Sequence, residues 1–175
     1  MTPLSPSRIA RTRSDEALFK LLGGELKRLL PPYDSDDLDP FVKSLQDLPE
    51  GLRAMAATYE LDVSMALDDL GWHFANWHHK GLALETLAGL RELGACAEAA
   101  IFERALEIAL AHWDFFAAKG FVEAYFESSV ETALSPLNDR LWRLLGYRGE
   151  GGRSLVDLWV PYARRSPERV CTMAV

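Results

Sequence analysis

The side chains whose type and spacing bear on chemistry lie between Asp34 and Glu123. Asp69 and His73 stand four residues apart, which puts both on one side of a helix. Such a pair can hold a metal ion when a third ligand comes from elsewhere, here His112 or Glu103. His78 and His79 follow in GWHFANWHHKG, at a helix end, where imidazoles are favoured by the dipole. No HExxH and no CxxC supports a metal site. Asp34, Asp36, Asp37 and Asp39 crowd into one short stretch and have the oxygen chemistry that hard cations take, but the glycine and glutamate of an EF-hand loop are missing. The same stretch reads as a helix start, with Asp39 as N-cap and Pro40 as first helical residue.

The sequence carries no recognisable catalytic motif. GxSxG, a phosphate-cradling glycine loop and a dinucleotide fingerprint are all absent, and no strand precedes GEGG at 149–152. A general acid needs a carboxyl in an apolar pocket. Asp114, beside Trp113 and Phe115, and Glu123 are the carboxylates placed near aromatics. Cys96 and Cys171 do not form a disulfide pattern and fit a reducing, cytoplasmic setting. The residues therefore point to a non-enzymatic protein without a cofactor. The alternative is a small metal-binding protein, or metal-dependent enzyme, using Asp69 and His73.

The elements that must position these groups are helical. The chain has 175 residues, 49% of them apolar, enough for one domain with a sizeable core. No apolar run approaches the roughly 20 residues of a membrane span, and MTPLSPSRIARTRS has no secretory apolar run. Residues 1–13 read as a flexible basic arm. Residues 14–47 read as a helical extension: Ser14 caps a helix over 15–30 that Pro31 and Pro32 stop, and a short helix follows Pro40. Residues 48–170 read as the main domain. Pro49 opens a helical stretch in which Leu52, Met55, Tyr59, Val63, Ala66, Leu70, Phe74 and Trp77 recur near a 3.6 period, read either as one long helix or as two nearly collinear ones with a break around Glu60–Val63 or at Gly71. A helix ending at Gly94, an Ala-rich helix, one from Gly120, one starting at Ser135–Pro136 and one capped by Ser154 complete the reading. No alternating run of strand length is present. The expectation is an all-α fold, a single compact domain of seven or eight helices.

Charge is segregated. Residues 34–133 carry a net charge of −13 and the two ends together +6, for −7 overall. An acidic middle disfavours direct nucleic-acid binding and attracts a basic protein surface. Trp72, Trp77 and Trp159 are candidates for an aromatic docking surface on another chain.

LDVSMALDDLGWHFANW, then LETLAGLRELGACAEAAIFERALEI, with LSPLNDRLWRLL and LVDLWVPYARRSPERV further on, resemble the shared domain of the bacterial DNA-mimic proteins of the nineteen-kilodalton type. Phe74, Ala75 and Asn76 stand for the family's phenylalanine-x-asparagine ending, and Leu90, Leu93, Gly94 and Ala95 for its leucine-to-glycine-alanine pattern. Ala66, Leu67, Asp68 and Asp69 stand where the family has an asparagine- and double-glycine-containing stretch. The resemblance covers about residues 48–170. It implies an all-α fold, often dimeric, and an acidic surface that imitates DNA phosphates and occupies a DNA-binding protein. On that expectation Glu60 with Asp68, and Asp62 with Asp69, form two short carboxylate rows, which Asp34, Asp36, Asp37 and Asp39 extend.

Overall fold

The computed structural model describes residues 3–34, 37–149 and 151–172. Its central element is α4 (Glu50–Leu67), which is buried nearly all round: Leu52, Ala54, Met55, Ala56, Ala57, Thr58, Leu61, Asp62, Ser64 and Met65 are all inside. A helix so enclosed has no wide polar face to offer. On one flank lies α6 (Lys80–Glu92). A Cβ at Gly89 would come within 3.0 Å of the Ala54 carbonyl oxygen, and Thr86 donates to the Ala57 carbonyl at 3.2 Å, so the two backbones nearly touch. Next to α6 runs α7 (Cys96–Ala111), which packs in turn against α10 (Ser129–Leu145). Three short helices, α5 (Leu70–Asn76), α8 (Trp113–Phe116) and α9 (Phe121–Tyr125), fill the corner between them with Phe74, Trp113, Phe116, Phe121 and Tyr125. The opposite flank of α4 is covered by α2 (Asp15–Leu29), α3 (Asp39–Gln46), α11 (Trp159–Arg165) and the 3-10 turns Leu155–Leu158 and Pro167–Val170.

The fold is all-α, as the patterning predicts. The described residues hold eleven α-helices, eight of them seven residues or longer, and no strand. Asp39 is the first residue of α3, whose N-cap is Leu38, and the Ala-rich helix ends at Ala111, not at Lys119; beyond these shifts, three local expectations change. Residues 6–11 are not a loose arm: they form α1 (Pro6–Arg11), started by Ser5, whose Oγ accepts from the Arg8 N–H at 3.3 Å, and by Pro6 in the first turn. Leu4 and Ile9 are buried, and with Leu18, Leu22 and Leu26 of α2 they join the same apolar cluster as Leu52, so the N-terminal helices share the core of the rest.

The break after α4 falls at Asp68–Asp69, not at Glu60–Val63 or Gly71. Asp68 leaves helical geometry (φ −145°, ψ −131°), and Asp69 restarts the chain as N-cap of α5. The third change is at Pro136, which starts no helix and sits inside α10. Ser128 caps α10, accepting from the Glu131 N–H at 3.0 Å. The apolar face Val130, Leu134, Leu137, Leu141 and Leu145 runs straight past the proline, and its burial outweighs the one ladder bond the proline lacks.

Candidate functional site

The carboxylates that the sequence places on one acidic surface separate into four environments. Asp62 is 5% exposed and works as an internal fastener: it accepts from the Leu155 N–H at 2.9 Å and from the Ser154 hydroxyl. Asp69 is a joint. One oxygen accepts from the Trp72 N–H at 3.0 Å and the other from the Tyr125 hydroxyl at 3.0 Å. Beside it the Leu70 N–H reaches Asn138 at 3.0 Å, and the Trp142 indole N–H reaches the carbonyls of Met65 and Asp68 at 2.9 and 3.1 Å. Glu60 faces an apolar groove. Only Asp68, Asp34, Asp37 and Asp39 are exposed, and Asp36 lies outside the described residues. The two rows expected along α4 are therefore not on the surface, because α4 is packed on nearly every side.

The histidines are taken up by packing and capping. His73 is 1% exposed, held by the Ser64 hydroxyl at 3.0 Å between the rings of Phe74 and Phe102. Burial pushes its pKa down to about 3, so the ring stays neutral. His78 stacks on Trp113 and contacts its carbonyl oxygen at 2.9 Å. His79 caps α6, its Nδ1 accepting from the Leu82 N–H at 3.1 Å. That leaves the proton on Nε2, which donates to Asp39 at 3.0 Å. Among the described residues no three His, Cys, Asp or Glu side chains converge as a metal would require, and His112 and Glu103, suggested as third ligands, are both exposed.

Neither Asp114 nor Glu123 lies in an apolar pocket; both are exposed. The carboxyl that does is Glu60. It lines a groove of about 630 Å³ between α2, α3, α4 and α11, walled by Phe19, Leu26, Leu30, Phe41, Tyr59 and Trp159. Trp159 is 3% exposed, so it belongs to this wall and not to an outer aromatic surface; Trp72 packs on Phe121, and Trp77 on Tyr33 and Phe41. Loss of hydration raises the Glu60 pKa to about 7 from an ordinary 4.5. Between those values the folded chain keeps a proton that the unfolded chain has released. The group's contribution to stability is thus fully present below pH 4.5 and is lost as the pH rises to 7. Allowing for partial exposure, the loss is on the order of 2 kcal/mol. Buried, neutral His73 adds an opposite slope to both chains over the same window, so the difference between them reports Glu60: urea titrations should show Glu60→Gln gaining stability relative to the native chain as the pH rises from 4.5 to 7, and exceeding it at pH 8. Equal slopes would show that Glu60 is solvated.

Some of the terminal cations are taken up in ion pairs. Arg169 pairs with Glu50 and Glu92, Arg164 with Asp15 and Arg148 with Asp139. Asp37, Asp68, Asp114, Glu123 and Glu127 are exposed and, among the described residues, have no ion-pair partner. The bond from Tyr125 to Asp69 sets α9, which carries Glu123 at its centre and is followed by Glu127, beside the Asp68–Asp69 turn. Leu67 and Phe126, 76% and 64% exposed, share a depression with Asp68 and Asp69. Sequence reading misses α9's part in this surface, because α9 is only five residues long and reads as the start of a longer helix.

A family model described as DMP19-like protein matches residues 46–164. No curated protein and no solved structure matches the chain.

Proposed function

The chain belongs to the DMP19-like protein family, and from that premise we propose that it is a non-enzymatic, cytoplasmic interaction protein that binds a basic protein surface in place of DNA. The observation that carries this reading is the family match over residues 46–164. The charge layout supports it: the net charge is −7, and the carboxylates of Asp37, Asp68, Asp114, Glu123 and Glu127 face solvent outside any ion pair among the described residues, with Arg148 the one cation lining the depression at Asp68. Such a surface draws a cationic partner and repels nucleic acid itself. Apolar Leu67 and Phe126 next to Asp68 give the contact a part that salt does not screen, and offer a place where a second copy of the chain can pair.

The test is capture of partners from a cell extract by the immobilised full chain. A DNA-binding protein should be retained at low salt and released at about 0.5 M, where screening acts over only a few ångströms. Partners indifferent to salt, or competition only by metal chelators, would reject the reading. Replacing Asp34, Asp37, Asp39 and Asp68 together by Asn should weaken retention about tenfold, with stability changed by no more than about 1 kcal/mol because all four side chains are exposed. Unchanged retention by this variant would move the contact to α9.

A further inference from the structure

The groove at Glu60 plays no part in the acidic surface, and its chemistry is different. We propose that it is a binding site for a small apolar amine, whose hydrocarbon part lies against Phe19, Leu26, Phe41 and Tyr59 and whose ammonium group pairs with the Glu60 carboxylate.

Four observations support the site. Its volume, about 630 Å³, is that of a small-molecule pocket. Its walls are almost wholly hydrocarbon, with three aromatic rings in contact: Phe19 and Trp159 have centroids 5.4 Å apart, Tyr59 and Trp159 6.0 Å. Glu60 has no hydrogen-bond or ion-pair partner for its carboxyl among the described residues, although it is partly buried. A carboxyl so placed is unusual unless something else meets it. Finally, the indole Nε1 of Trp159 is the one buried side-chain polar atom among the described residues without a hydrogen-bond partner. That atom is closed to solvent, so a ligand acceptor meets it only by shifting the Trp159 ring.

An amine is favoured over a neutral or anionic molecule by charge. The other titratable groups lining the groove are Tyr59, on the same helix as Glu60, and Lys27 of α2; α3 and α11 contribute Phe41 and Trp159, which carry no charge. Lys27 is solvent-exposed and forms no ion pair with Glu60. Aromatic faces add to the attraction for an ammonium group. With the Glu60 carboxyl raised to about 7, an ammonium ligand must displace its proton at lower pH. Affinity should therefore rise from pH 6 to 8 and level off above, where the carboxyl is already ionised and an alkylamine is still charged.

Three probes of common skeleton test this on the full chain by calorimetry and by tryptophan fluorescence: 3-phenylpropylamine, 3-phenylpropanol and phenylalaninol. The amine should bind about tenfold tighter than the alcohol at pH 8, and phenylalaninol, which keeps the amine, should also bind tighter than the alcohol. Glu60→Gln should erase the preference for the amines and the pH dependence, while leaving capture of the macromolecular partner untouched. Equal affinity for amine and alcohol, with Glu60→Gln indifferent, would reduce the groove to an unselective apolar cleft and overturn the proposal. Absence of binding by all three, or a native-chain affinity that does not vary between pH 6 and 8, would overturn it as well.

Discussion

Gly71→Ala should destabilise the chain by roughly 3 kcal/mol or more, the largest effect expected from adding a single methyl group anywhere near the acidic turn. A Cβ at this position would lie 2.2 Å from both Cζ and the hydroxyl oxygen of Tyr125. The ring has nowhere to go. It is fully buried, stacked on Phe121 at 5.1 Å, and its hydroxyl is fixed by Asp69. Burial, with the neighbouring Asp69 carboxylate, pushes the Tyr125 phenol well above its ordinary range, so it remains a donor at any physiological pH. Moving the ring therefore also leaves the second Asp69 oxygen without its donor, while the Trp72 N–H still caps α5 through the first. Urea denaturation followed by circular dichroism measures the loss, and a double-mutant cycle identifies its cause. In a Tyr125→Ala background the same glycine substitution should cost under about 1 kcal/mol, since the obstacle is gone. An equal cost in both backgrounds would place the strain in the α5 backbone instead.

Asp62→Ala should cost about 3 kcal/mol, because the Leu155 N–H and the Ser154 hydroxyl lose their acceptor in a site closed to water. Asp62→Asn keeps one acceptor oxygen and should lose about half as much. Asp68→Ala, six residues on and fully outside, should stay within about 0.5 kcal/mol. Denaturant midpoints for the three variants give the order directly. If Asp62→Ala matched Asp68→Ala, the link between α4 and the C-terminal turns would contribute nothing to stability. The same comparison separates the two uses of aspartate in this chain: Asp68 substitution should affect partner capture, and Asp62 substitution should affect folding.

Much of this architecture is written in local signals. Ser14 with Asp15 and Glu16, Pro31–Pro32 and Gly94 mark α2 and α6 closely, since caps and breakers act within one turn. The error at α4 has a different origin. Tyr59, Val63 and Ala66 continue an apolar stripe, yet Tyr59 is 44% exposed and Ala66 is outside, while Thr58, Asp62 and Ser64 are inside. A helix at the centre of a domain takes its buried set from what surrounds it, and Ser154 and Leu155 decide the fate of Asp62 from more than ninety positions away. Glu60 was unreadable as a pocket carboxyl for the same reason: its groove is assembled from four separate helices. Pro136 misleads because proline normally argues for a helix start, and only the continuous burial of Val130 to Leu145 shows that α10 carries on through it.

The family signature spans 46–164, but the body that folds is wider. Gly51 is bare because Tyr162, Val170 and the Arg169 carbonyl press on it from beyond or at the edge of that span, each within 3.0 Å of where a Cβ would be. Arg164 donates to the carbonyls of Thr12 and Arg13 and to Asp15, so one guanidinium ties the beginning of the chain to its end. Excising 46–164 would strip Leu18, Leu22 and Val170 from a shared interior and leave an open apolar wound. What is inherited as a recognisable unit is thus smaller than what can stand alone in water. A chain that kept only the middle would have to close that flank by some other means, with different terminal helices or with a neighbouring chain.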